Sequence, residues 1–200
     1  MLISGSLLKI CDDKEKIDEL NRCCDMIHFD VMDGEFTDDK TDYFKNVSGV
    51  SKPIDVHLMV YDVEKYLDII SVFKPEYVTF HYEIGNILSN INLIKNRGFK
   101  VGIAINPDTE VSDIFEYLNL IDLVLVMSVP PGKGGQKFID VSDKIDKLVD
   151  YRSKNGLDFV IEVDGGINSE TIKKVRKVDI AVCGSYITDS LDYEKMVKSL

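Results

Sequence analysis

No apolar stretch in the 200 residues is longer than Leu123–Met127. That is far short of the roughly 20 residues that span a bilayer, so a membrane-spanning helix is excluded. The amino terminus, Met1-Leu-Ile-Ser-Gly-Ser6, has neither a basic segment nor a small-residue cleavage site, and a cytoplasmic chain is expected. Basic residues are in deficit: 24 Lys plus Arg against 35 Asp plus Glu leave a net charge of −11. This balance disfavours nucleic acid, whose phosphates need clustered cations. Any anionic ligand must then be held by local donors. Cys11, Cys23, Cys24 and Cys183 form no CxxC pair, and a chain of this length needs no disulfide scaffold. All four read as small core or near-surface thiols. No linker, low-complexity tract, charge block or short repeat divides the sequence, so one domain over residues 1–200 is expected.

What the chain does contain is alternation. Short runs rich in Val, Ile, Phe and Tyr alternate with longer segments carrying charges at helical spacing, the pattern of strand–helix units in a parallel sheet. Strands are expected at 2–8, 26–32, 54–60, 77–82, 100–105, 123–129, 159–163 and 180–183. Helices are expected at 14–22, 63–73, 86–96, 111–118, 143–154, 170–176 and 193–199, with a weaker helical signal at 39–47. Eight such units predict an α/β fold of the (β/α)8 TIM-barrel type with short loops, since about 200 residues is the lower limit for that architecture. The open doubly wound sheet is disfavoured, because no GxGxxG follows the first strand.

In such a barrel the chemistry sits at the carboxyl ends of the strands. On the second strand His28, Asp30 and Met32 alternate and share a face. The third strand brings His57 and Met59 to one face, and the seventh delivers Asp164 before two glycines. A core histidine or a loop-capping aspartate is the ordinary explanation for any one of these residues. As a set they make a mixed nitrogen and oxygen shell suited to one divalent ion, Zn, Mn, Co or Fe(II), rather than Ca or Mg. Two carboxylates in a barrel mouth also need a counter-charge. The remaining histidine, His81, stands beside Glu83 and is read as a supporting or core residue. Three glycine-rich loops follow strands six, seven and eight: Pro131-Gly-Lys-Gly-Gly-Gln136, Asp164-Gly-Gly-Ile-Asn168 and Gly184-Ser185. Glycines there let backbone N–H groups approach an anion, and loops after strands seven and eight are the usual phosphate site of these barrels. Lys133 adds a charge at a loop tip.

These motifs carry a resemblance. His28-Phe-Asp-Val-Met-Asp-Gly34, Asp55-Val-His-Leu-Met-Val60, His81-Tyr-Glu83, Asn106-Pro107, Met127-Ser-Val-Pro-Pro-Gly-Lys-Gly-Gly-Gln-Lys-Phe138, Val163-Asp-Gly-Gly-Ile167 and Gly184-Ser185 together resemble the ribulose-phosphate 3-epimerase family, from Ser6 to Ser185. The resemblance implies interconversion of D-ribulose 5-phosphate and D-xylulose 5-phosphate in the pentose phosphate pathway, with His28, Asp30, His57 and Asp164 as metal ligands. It implies that Asp30 and Asp164 are the acid/base pair, that Ser6 and His57 meet substrate, and that Met32, Met59 and Met127 line the site. Phosphate contacts fall on Gly165, Gly166, Gly184 and Ser185, with Gly132, Lys133, Gly134 and Gly135 in a loop that closes on the substrate. The chemistry is consistent with this. Epimerisation next to a ketone removes a proton on one face and returns one on the other, and a Lewis-acid metal stabilises the enediolate between those steps.

The chain also departs from the family pattern. Thr37-Asp-Asp-Lys-Thr41 stands where Val-Pro-Asn is usual, Gly5 replaces a proline, and Lys9-Ile-Cys11 replaces Ser-Ala-Asp. Asp108 stands for a glycine and Pro130 for an asparagine. None of these removes a ligand, so catalysis is better defined than substrate choice. A six-carbon substrate such as D-allulose 6-phosphate is the nearest alternative, and a non-catalytic phosphosugar-binding protein is a more distant one. Sugar-phosphate decarboxylases and aldolases need an Asp-x-Lys-x-x-Asp strand, whereas this strand reads Asp30-Val-Met-Asp33. Barrels of this kind commonly self-associate, which makes a homo-oligomer the expectation by analogy.

Overall fold

The eight β-branched runs become eight strands: β1 (Leu2–Ser6), β2 (Met26–Met32), β3 (Ile54–Met59), β4 (Tyr77–His81), β5 (Lys100–Ile105), β6 (Leu123–Met127), β7 (Val160–Asp164) and β8 (Ile180–Cys183). In this computed structural model each strand pairs in parallel with its neighbours in chain order, and β8 returns to β1 to close the barrel. The structure describes residues 1–41, 47 and 49–200. The helical signal at 39–47 falls largely outside those residues; at its near edge Lys40 bridges Asp33 and the Thr41 N–H donates to the Met32 carbonyl.

Outside the barrel run α1 (Lys14–Cys23), α2 (Val63–Ser71), α3 (Ile87–Asn96), α4 (Ser142–Asn155), α5 (Ser185–Thr188) and α6 (Tyr193–Lys198). Asp13, Asp62 and Asp192 cap α1, α2 and α6 by accepting backbone N–H groups of Lys16, Lys65 and Lys195. Two expected helices are shorter and tighter: 3-10 turns at Val111–Tyr117 and Thr171–Lys174 stand in their place. Neither has a side-chain cap, and so short a connector is satisfied by i to i+3 bonds. The four-residue α5, not expected from periodicity, is too short to show any. Among the described residues no helix is long and apolar enough to cross a membrane.

The strands separate two cores. Outward-facing residues such as Ile27, Phe29, Val56, Leu58, Val78 and Phe80 pack beneath the helices. Inside, Met26, Tyr77, Ala104, Leu123, Leu125, Met127 and Ile180 fill part of the barrel. The rest of the interior is polar, with Ser4, His28, Asp30, Asp55, His57, Thr79, His81 and Glu162 all buried. Pleat alternation and register bring these together: Asp30 pairs with His57, and His57 with Thr79.

Candidate active site and metal centre

The inward face of β2 carries His28 and Asp30, β3 carries His57, and β7 ends on Asp164. One ligand atom from each of these four lies within 4.8 Å of the others. Asp30 Oδ1 is 3.2 Å from His28 Nε2 and 3.2 Å from His57 Nδ1, while Asp30 Oδ2 accepts the Ser6 hydroxyl at 3.2 Å. The end of β2 is pinned from outside the barrel, where Thr41 Oγ1 donates to the Asp30 carbonyl and accepts the Met32 N–H.

The surrounding hydrogen bonds determine which nitrogens face this centre. His81 Nδ1 donates to Glu83 at 3.0 Å, which leaves its Nε2 as an acceptor. Burial holds His81 down at about 4, so it is neutral near pH 7. The proton in the 2.8 Å contact between His57 Nε2 and His81 Nε2 therefore belongs to His57. His57 Nδ1 consequently turns a lone pair toward Asp30. On the other side, His28 Nδ1 pairs with Asp55, which also accepts the Ser4 hydroxyl at 2.6 Å, so Nε2 is the nitrogen His28 offers to the centre. Nε2 of His28, Nδ1 of His57 and two carboxylates thus converge, His28 oriented by Asp55 and His57 by His81, which Glu83 holds in turn. This is the outer-shell arrangement of metal-binding histidines. The donors fit a single divalent ion of the Zn, Mn, Co or Fe(II) kind.

The two aspartates have opposite proton affinities. Burial pushes Asp164 up to about 7, with Asp30 and Asp55 adding to the rise against the opposing charge of His28. Burial acts in the same direction on Asp30, but the charge of His28 and its hydrogen bond outweigh it and hold its carboxyl low. Burial opposes a charge on His28, yet Asp55 and Asp30 raise it well above the usual imidazole range, so in the metal-free protein a proton supplies the local positive charge. A pair of carboxylates pushed apart in this way is the usual sign of an acid and a base.

Above the centre opens a cavity walled by Ser6, Asp30, Met59, Met127, Asp164 and the glycine loops. All of Gly132, Lys133, Gly134, Gly135, Gly165, Gly166, Gly184 and Ser185 lie on its wall. His28 and His57 sit below it, fully buried. Met32, buried at the end of β2, is not among the residues on this wall. Phe36, from the segment after β2, lies 4.6 Å from the His81 ring. Gly165 and Gly166 adopt φ of +120° and +63°, and a Cβ there would stand 2.5 Å from Val129 and 2.8 Å from the Phe138 nitrogen. Only glycine fits that turn. The loop after β6 is braced by Gln136, which donates to the carbonyls of Pro130 (2.6 Å) and Lys133 (2.9 Å).

The sequence reading passed over Ser4, Asp55 and Glu162. Their signal was present: Asp55 stands two residues before His57 and Glu162 two before Asp164, the same alternation that singled out His28 and Asp30. Glu162 is 1% exposed and faces Asp55; burial, then Asp55, raises it well above the carboxylate range, so it stands neutral beneath the site.

Residues 2–188 match the model of the ribulose-phosphate 3 epimerase family. A protein named ribulose-phosphate 3-epimerase from Helicobacter pylori is 34% identical over 207 aligned positions, covering 100% of this chain and 94% of that one. Proteins of the same name from Escherichia coli K12 and Buchnera aphidicola are 33% and 37% identical, covering 100% and 91% of this chain and 92% and 85% of theirs. Among solved structures, KGPDC from Streptococcus mutans superposes with a TM-score of 0.69 at 13% identity, over 99% of this chain and 94% of that one. The 3-hexulose-6-phosphate synthase of Salmonella typhimurium gives 0.67 at 19% identity, over 100% of this chain and 96% of that one. At such identities these structures speak to the barrel alone.

Proposed function

The chain belongs to the ribulose-phosphate 3-epimerase family, and from that premise we propose that it interconverts D-ribulose 5-phosphate and D-xylulose 5-phosphate, with Asp30 and Asp164 as the acid/base pair. The observation that carries this reading is the convergence of the two carboxylates on one cavity. Asp30 is held low and Asp164 high, on strands separated by β1 and β8, within one cluster. One ionised and one protonated carboxyl is the state needed to take the C3 proton with one group and return a proton with the other. The direction of the reaction decides which group begins as the base.

His28, Asp30, His57 and Asp164 would hold a divalent ion. When bound, it supplies Lewis-acid stabilisation of the negative charge that develops on the substrate oxygens. The protein's own residues do the rest. Asp55 and the His81–Glu83 pair keep Nε2 of His28 and Nδ1 of His57 turned inward. Ser6 donates to Asp30, which steadies the carboxylate. Met59 and Met127 give the substrate carbons an apolar wall, and the backbone N–H groups of Gly165, Gly166, Gly184 and Ser185 are the donors for its phosphate.

A coupled assay of metal-reconstituted protein on D-ribulose 5-phosphate beside D-allulose 6-phosphate, repeated after chelation, tests the proposal. Chelator-sensitive turnover that favours the pentose phosphate is expected. Asp164→Asn should lower kcat by a factor of about 1,000 or more while circular dichroism stays unchanged. Near-normal turnover by that variant would remove the two-carboxylate mechanism, and preference for the hexulose would reassign the substrate.

A further inference from the structure

Lys9, in the loop that follows β1, has no part in the site as described so far, yet it stands on the wall of the same cavity. Its Cε lies 3.7 Å from the point where a Cβ would stand on Gly134, and its Nζ 3.9 Å from the corresponding point on Gly135. Ser185 Oγ is 3.6 Å from both points. The ammonium and the Ser185 hydroxyl therefore both stand beside one glycine pair. Lys9 Nζ is paired with Asp189 at 3.0 and 3.1 Å, four residues beyond Ser185. The two side chains are 42% and 61% exposed, so the pair is solvated and weak.

We propose that Lys9 is the cation of the phosphate subsite, exchanging Asp189 for the phosphoryl group when a phosphorylated ligand enters. The proposal rests on the reading of this cavity as a sugar-phosphate site. The other donors there are neutral backbone N–H groups and one hydroxyl, while the chain carries a net charge of −11 that repels a dianion. A fixed positive charge inside the mouth corrects the local field. Phosphate competes well for a lysine whose present partner is a water-exposed carboxylate, because charge-assisted bonds to a dianion are stronger. The other lysine on the wall, Lys133, is worse placed: it is 63% exposed, and its Nζ sits 3.9 Å from Asp38.

The test uses the metal-loaded full chain and its Lys9→Ser, Lys9→Arg and Asp189→Asn variants. KM and kcat for D-ribulose 5-phosphate are measured at low and high salt, and inorganic phosphate is titrated calorimetrically as an independent probe. Lys9→Ser should raise KM and weaken phosphate binding about tenfold, with kcat within about twofold. Lys9→Arg should recover most of the loss. Asp189→Asn, which frees the ammonium, should lower KM about twofold, and the advantage of wild type over Lys9→Ser should shrink at high salt. Equal phosphate affinity in wild type and Lys9→Ser overturns the assignment of Lys9, whatever the turnover. If wild type does not turn over the pentose phosphate but still binds phosphate about tenfold better than Lys9→Ser, the epimerase reading falls and the role of Lys9 stands.

Discussion

Glu83 is not on the cavity wall, yet its carboxylate decides what His57 offers to the centre. It accepts His81 Nδ1–H, the Asn106 N–H at 2.8 Å and the Thr109 hydroxyl. Burial opposes the charge, but these donors outweigh it and hold Glu83 at about 2. With Glu83 ionised, His81 keeps its proton on Nδ1, and His57 keeps its own on Nε2. Glu83→Gln weakens that preference, because an amide can present either an oxygen or an NH2 group to His81. The expected outcome is a metal dissociation constant raised about tenfold, with kcat recovered at saturating metal. Calorimetric titration of the metal-free variant measures this, and an unchanged constant would separate Glu83 from the centre.

The turn after β7 is the element that places the proposed phosphate donors, and its geometry depends on two glycines with positive φ. Gly166 has φ +63°, and any Cβ there would collide with the Phe138 backbone, at 2.8 Å from the nitrogen and 2.9 Å from Cα. Gly156, which follows α4, has nearly the same φ of +61° and nothing within 4 Å. The two positions therefore separate conformational strain from collision. Gly156→Ala should cost about 1 kcal/mol, the ordinary left-handed penalty. Gly166→Ala adds displacement of the 136–138 segment and should cost about 2–4 kcal/mol, with a raised KM for the sugar phosphate. Urea midpoints of the two variants give the comparison, and equal losses would show that the Phe138 contact yields freely.

At the scale of the whole molecule, stability and metal loading are linked through the same buried charges. Asp164 has its pKa raised from about 4 to about 7, so its contribution is complete below pH 4 and is lost as the pH rises through 7. Glu83 runs the other way: held at about 2, its contribution is complete above its ordinary value and is lost as the pH falls toward 2. As the pH rises from about 4 to 7 the metal-free protein should therefore lose several degrees more of Tm than Asp164→Asn does. A bound divalent cation, which favours ionised Asp164, should remove that excess loss. Equal losses in the two proteins would contradict the assignment for Asp164.

Much of this architecture was legible beforehand, because strand and helix periods are properties of the chain itself. All eight strands lie where the alternation put them, and His28, Asp30, His57 and Asp164 were found because a period of two tells which side chains share a face. Loop glycines with positive φ declared themselves for the same local reason. Periodicity does not say which neighbour a side chain meets once the sheet closes. Barrel closure and register set His57 against His81, Asp55 behind His28, and Lys9 beside Gly135, more than a hundred residues away along the chain. The sequence by itself determined the strands, their inward faces and the donor set, since these follow from local backbone geometry. Tautomer, proton affinity and the surroundings of Lys9 were decided only by the fold, because each depends on burial and on charges that distant strands bring into contact.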